Sequence, residues 1–313
     1  MRVKAAVAPL LLAIALALAP AAQADPVQEF NIQLKNVQAD GRYTIVFSSN
    51  SYDTSGEQPP QVTANSVRFA AGVTIRPEFL TSRYRCDVGK LRQALVDTPE
   101  PTRPTSKRLA KLADTYKRIR ERLGPAGRRA VEACVRSEIG QGVVVADTRP
   151  FIADPIPAKL TLYLAKPSAP GAVASFGVLA VIDESTQVYR DIGLLQMLGP
   201  LSFNTDVFSE PSAEGVYGYR LALPAGPVGI VKISLAELRV SMPGLTQVTK
   251  KVTCVRRVRG SCKKKTTASE KLFWLTPPTC PAAGKLGFES TYTYETGVTL
   301  SKALQLPCPR FKR

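Results

Sequence analysis

Phe30, Ile32, Leu34 and Val37 alternate with polar residues over most of Val27 to Val37, the period of a strand with one buried face. Ala39-Asp40-Gly41 reads as a turn and Tyr43 to Phe47 as a second strand of β-branched and aromatic residues, so the two predict a hairpin. Ser48 to Pro60 is polar, carries Gly56 and Pro59-Pro60, and reads as a loop; Val62 to Phe69 and Gly72 to Ile75 then resume strand patterning. Past Gly140 the chain reads as strand after strand: Val143 to Val145, Lys159 to Leu164, Val173 to Ile182, Val188 to Leu198, Leu201 to Phe208, Tyr217 to Leu223, Val228 to Val240, Leu245 to Val255, Leu272 to Leu275, Leu286 to Tyr294 and Val298 to Leu306. Turns rich in Pro, Gly, Ser and Asp separate most of them, Glu295-Thr296-Gly297 making the last pair a hairpin. Such spacing belongs to sandwiches and barrels.

Between Cys86 and Gly140 the period changes to about 3.6. Leu91, Leu95 and Val96 predict a short helix, which Pro99, Pro101 and Pro104 end. Thr105 or Ser106 caps a second, where Leu109, Leu112, Tyr116, Ile119 and Leu123 form one apolar stripe. Gly124-Pro125 stops it and starts a third through Val131, Cys134 and Val135. Gly140 and Gly142 are expected to turn the chain back into strand, and the prolines of Pro150 to Pro157 to make a connection. The expected fold is mainly β, an antiparallel β-sandwich with an inserted, disulfide-bracketed helical hairpin over residues 87–139 and a stapled C-terminal hairpin over 280–308. No low-complexity linker divides 25–313, so one region is expected, while the pattern leaves open whether the strands before Cys86 share its sheet.

Composition adds a compartment. Arg2 and Lys4, the apolar run Ala5 to Ala19 and Ala22-Gln23-Ala24 have the three parts of a signal peptide cleaved before Asp25. Pro9, Pro20 and the small-residue end argue against the alternative, an uncleaved anchor. The mature chain is expected to be exported, secreted or associated with the cell envelope. Six cysteines in that compartment predict three disulfides. Six allow 15 pairings; the expected scheme is the local one, Cys86 with Cys134, Cys254 with Cys262 and Cys280 with Cys308, because each bridge encloses one recognisable element.

Histidine is absent, which excludes Ser-His-Asp and Cys-His catalysis and His-ligated metal. No nucleophile-base signature replaces it, so no enzymatic activity, cofactor or metal is expected. Carboxylates remain. Asp183-Glu184 and Glu210 with Glu214 fall at strand ends or turns, where a carbohydrate hydrolase places its acid and nucleophile and where turn chemistry also places acids.

Charge is distributed unevenly. Of the formal +17, Arg103 to Arg129 supplies ten cations against Asp114 and Glu121, and Lys250 to Lys265 eight against none; the rest of the mature chain is close to neutral. In the first segment Lys107, Lys111, Arg118 and Arg122 lie on the helix face away from the stripe, the solvated outer face of a packed helix or a face for an anionic polymer. In the second, Lys250, Lys251, Arg256, Arg257, Arg259, Lys263, Lys264 and Lys265 surround Cys254 and Cys262. Charge so concentrated on a stapled hairpin either keeps an edge from aggregating or binds an anionic surface polymer such as a teichoic acid, an anionic membrane surface or extracellular nucleic acid. Sequence-specific nucleic-acid recognition is not expected, since no aromatics are interleaved.

Cys134, Ile139-Gly140-x-Gly142, Ala146-Asp147-x-Arg149-Pro150, the strand Lys159 to Leu164, Trp274, Cys280-Pro281, Tyr294-x-x-Gly297 and Cys308 together carry a resemblance. Over roughly Cys134 to Cys308 the chain resembles a group of exported β-rich, β-sandwich-like proteins of actinobacteria, the high-GC Gram-positive bacteria. The shared residues are those of turns and staples. The resemblance implies a secreted β fold and brings no activity with it. The leading expectation is therefore an exported, non-enzymatic, envelope-associated protein that binds anionic polymers; a protein-binding adhesion module and a carboxylate-dependent hydrolase are the alternatives.

Overall fold

The computed structural model describes residues 26–38, 41–76, 79, 85–96, 125–149, 155–182, 200–223, 234–243, 245–258, 261–276 and 278–309, with backbone alone at 125–130, 245–253, 256–258 and 261–273. The leader, the helical stripe Leu109 to Leu123 and the strand expected at Val188 to Leu198 lie outside the described residues.

Alternation becomes strands: β1 (Pro26–Lys35), β2 (Thr44–Asp53), β3 (Val62–Ala70), β4 (Glu138–Asp147), β5 (Ile156–Ala165), β6 (Ala172–Ile182), β7 (Leu201–Ser209), β8 (Tyr217–Leu223), β9 (Ser234–Pro243), β10 (Leu245–Val258), β11 (Ser261–Phe273), β12 (Lys285–Tyr294) and β13 (Thr299–Pro307). The change of period becomes α1 (Val88–Val96) and α2 (Pro125–Ser137). Eleven strands form one antiparallel sheet in the order β1-β2-β9-β4-β5-β6-β7-β8-β3-β12-β13, and β10 pairs with β11 alone. The strands before Cys86 thus enter the common sheet. The sheet curls until its end strands β1 and β13 approach each other, a nearly closed barrel.

The interior changes character along the barrel. On β2 the inward residues run Ile45, Phe47, Ser49, Ser51 and Asp53, all buried, and on β12 they run Leu286, Phe288, Ser290, Tyr292 and Tyr294. At the polar end hydroxyls cross the interior: Ser49 Oγ meets Tyr292 Oη at 2.8 Å, Ser51 Oγ meets Tyr294 Oη at 3.1 Å, and Tyr294 Oη donates to Gln28 Oε1 at 3.1 Å. These bonds satisfy groups whose burial is otherwise costly, and they tie β1 and β2 to β12 near the seam. The same end is covered by residues 54–61, held where Arg149 donates to the carbonyls of Gly56 and Glu57, Gln58 to that of Asp147 and Ser234 to that of Pro59.

A second, smaller core lies outside the barrel. Leu91 of α1, Val131 and Cys134 of α2, Tyr163 of β5 and Leu179 of β6 pack together, with Cys86 bonded to Cys134. β5 and β6 are therefore buried on both faces, which explains their near-continuous apolar sequences. The Cys86 amide donates to the Leu164 carbonyl at 2.7 Å and seats the hairpin on the sheet.

Four local expectations are corrected. β2 continues to Asp53 where a polar loop was expected, because its serines face tyrosine hydroxyls instead of water. Gly140 and Gly142 do not turn the chain; they lie inside β4, where an added Cβ would stand 2.7 Å from the Ser241 carbonyl oxygen and 2.2 Å from that of Arg239. They permit the close approach of β9, and the helix-to-strand change occurs earlier, between Ser137 and Glu138. Gly72 to Ile75 forms no strand, only an isolated bridge from Ile75 to Leu275. Lastly, the strand expected at Leu272 to Leu275 does not exist by itself: Leu272 and Phe273 end the long β11, and beyond it Leu275 makes only the bridge to Ile75.

Candidate functional site

β10 and β11 leave the barrel at Pro243 and return to it at Trp274, pairing from Leu245 opposite Phe273 to Val258 opposite Ser261. At about 3.4 Å per residue this is a ribbon roughly 40 Å long. Its register brings the cations together. Arg256 stands opposite Lys264, Arg257 opposite Cys262 and Cys254 opposite Lys265, with irregularities on either side of Arg256. Lys263 falls in the same stretch, while Lys250 and Lys251 stand nearer the foot, opposite Ser269 and Ala268. Like charges facing each other across a two-stranded ribbon weaken a structure already marginal by itself. Cys254 is disulfide-bonded there, and the side chain of its expected partner Cys262 lies outside the described residues.

Lys107, Lys111, Arg118, Arg122 and Arg259 lie outside the described residues. The tail of the first basic segment does reach the described chain: Arg128 and Arg129 belong to α2, and α2 touches β10. The other two expected bridges are present, Cys86 with Cys134 and Cys280 with Cys308.

Sequence reasoning gave no sign of a second feature, a cavity of about 200 Å³ at the apolar end of the barrel. Ile45, Phe69, Phe176, Val207, Met242 and Trp274 line it. Trp274 is the chain's one tryptophan; it is buried, meets Phe176 edge to face at 5.7 Å, and donates from Nε1 to the Pro243 carbonyl at 2.8 Å. The foot of the ribbon is thus part of the cavity wall. No local pattern marks such a site, because its walls come from strands distant in sequence and each contributes the apolar residue its alternation demands.

The carboxylates of Glu210 and Asp147 are engaged structurally. Hydrogen bonds from Arg220 first and Arg68 second hold the Glu210 carboxyl below its usual range, and Arg68 also pairs with Glu289 at 3.1 Å. A general acid requires the opposite shift. Burial works against the charge on Asp147, but hydrogen bonds from the Arg149 side chain and backbone outweigh it and lower the pKa. Glu214 is exposed, and Asp183 and Glu184 lie outside the described residues. Among the described residues no group of three or more His, Cys, Asp or Glu is placed to hold a metal ion, and no helix is long and apolar enough to cross a membrane.

Compared with protein-family models, with curated proteins and with solved structures, the chain matches none of them. The candidate sites therefore rest on this molecule's own geometry.

Proposed function

We propose that this is an exported, envelope-associated, non-enzymatic binding protein that holds anionic polymers of the cell surface by its basic ribbon. The observation that carries the reading is the register of β10 and β11, which gathers Arg256, Arg257, Lys263, Lys264 and Lys265 within a few residue pairs of one end. A dense cationic projection attracts polyanions by long-range electrostatics and by release of their counterions, with little demand on sequence or shape. Solubility alone needs no such concentration. The helix that carries Arg128 and Arg129, α2, also touches β10.

The test is retention on an anionic matrix, phosphocellulose, eluted with a salt gradient. Replacing Arg256, Arg257, Lys263, Lys264 and Lys265 by Gln is expected to lower the eluting salt concentration severalfold, while the same number of Lys or Arg changes elsewhere on the barrel lowers it little. Equal elution of the ribbon variant and the wild type overturns the proposal.

A further inference from the structure

We propose that the cavity at the apolar end of the barrel is a binding site for the alkyl chain of a small, free amphiphile, a function separate from polyanion binding. Protein interiors are close-packed, and voids larger than a water molecule are few. An apolar cavity of about 200 Å³ is therefore a feature that needs a reason. Water does not supply one, because apolar cavities stay empty or take apolar guests. Among the described residues its only hydroxyl-bearing wall groups are Ser209 and Tyr219, and no charged side chain lines it. The buried part of a ligand is then hydrocarbon. A cavity of about 150 Å³ holds benzene, so this one suits an alkyl chain of about six to eight carbons.

The backbone around the cavity is irregular on both sides. The β6–β7 register shifts between Ala172 and Ala174, leaving Val173 without a partner, and Val173 is 43% exposed while also lining the cavity. The β3–β8 register shifts between Phe69 and Ala70, so that Phe69 faces Tyr219 and Ala70 faces Tyr217, with Gly218 skipped. Phe69 and Tyr219 are both wall residues. Bulges concentrate at barrel rims and beside sites, where they re-aim side chains. Here one turns an apolar residue toward both solvent and cavity, which makes Val173 and the exposed Ser209 the mouth. A chain entering between them leaves its polar head in water beside the Ser209 hydroxyl. The opposite end of the interior is polar, internally hydrogen-bonded and covered by residues 54–61, so a ligand enters from one end only.

Trp274 makes the site directly observable, since no other tryptophan contributes to emission. Titration of the full-length protein with 8-bromooctanoic acid is expected to quench Trp274 fluorescence saturably and by more than half, because heavy-atom quenching needs contact. Octanoic acid is expected to reverse the quenching by competition without quenching itself. Val207→Phe, which fills the cavity, is expected to weaken the apparent affinity at least tenfold with near-ultraviolet dichroism kept; Ala174→Leu is the second filler if the first fails to fold. Absence of saturable quenching, or equal quenching in a folded filled variant, overturns the proposal. Vesicles of phosphatidylglycerol with brominated acyl chains form a parallel arm, and quenching by vesicles alone overturns it too, by assigning the contact to a bilayer.

Discussion

Gly177 of β6 lies beneath α1, where an added Cβ would stand 2.4 Å from Val88 Cγ1. Both residues belong to packed surfaces, so neither has room to withdraw. Gly177→Ala is expected to destabilise the fold by about 1–3 kcal/mol through overpacking, and Val88→Ala in the same background to recover part of the loss, as urea denaturation in a double-mutant cycle reports. Asp206 is a second residue with a single dominant role. Burial opposes its charge, but the Ser168 hydroxyl and amide and the Ala169 amide donate to it and lower its pKa; the Ser168 contacts measure 2.6 and 2.9 Å. A carboxyl with a lowered folded pKa contributes stability present above its unfolded value, about 3.9, and lost as pH falls through the folded value. Asp206→Asn is therefore expected to cost about 1–2 kcal/mol at neutral pH. The gap from wild type is expected to close below about pH 4, read from urea midpoints at pH 7, 5 and 3. A gap of constant size across that range contradicts the assignment. Sequence alone marks neither residue, because glycine and aspartate are also what turns require.

At the scale of elements, β2 and the helical hairpin show where local pattern succeeds and where it stops. Ile45 and Phe47 announce a strand, whereas Ser49, Ser51 and Asp53 read as loop until Tyr292 and Tyr294 stand opposite them. Tyr294→Phe removes the bonds to Ser51 and Gln28 and is expected to cost about 1–3 kcal/mol by leaving buried groups unpaired. β11 was legible only as the return arm of a short stapled hairpin, and its length was not: Lys263-Lys264-Lys265-Thr266-Thr267 has no apolar face, and only the pairing with β10 carries the strand on to Phe273. The helical hairpin was legible from its change of period, its prolines and its flanking cysteines. Replacing Cys86 and Cys134 together by Ser opens a link spanning 48 residues, with an expected loss of roughly 4 kcal/mol on chain-entropy grounds. If the hairpin then lifts from the sheet, Tyr163 and Leu179 become exposed, and dye binding rises at temperatures where the wild type shows none.

For the whole molecule the principal contrast is between barrel and ribbon. β12 is paired on both sides, by β3 and by β13, and its inward residues are fully buried, whereas β10 and β11 pair only with each other. Ribbon amides are expected to exchange with solvent orders of magnitude faster than those of β12 in hydrogen-exchange mass spectrometry. Equal protection would show that something else covers the ribbon. The strand series, the mainly β class, the bracketed helices and two of the cysteine pairs follow from the sequence because each is written in neighbouring residues: a period, a breaker or a pair of staples. The partners of those strands are not. A polar run becomes β2's inward face only across from tyrosines 243 residues away, and glycines become contact points in β4 only against β9. The basic ribbon was visible as charge and acquired its length through pairing. The cavity was invisible, since an empty volume belongs to no residue and arises only when walls from strands far apart in sequence meet with a gap between them. What the chain alone determined is the set of elements and where its charge is concentrated; closure, register and the void at the barrel's apolar end were decided by tertiary structure, because long-range packing chooses which faces meet and local sequence does not.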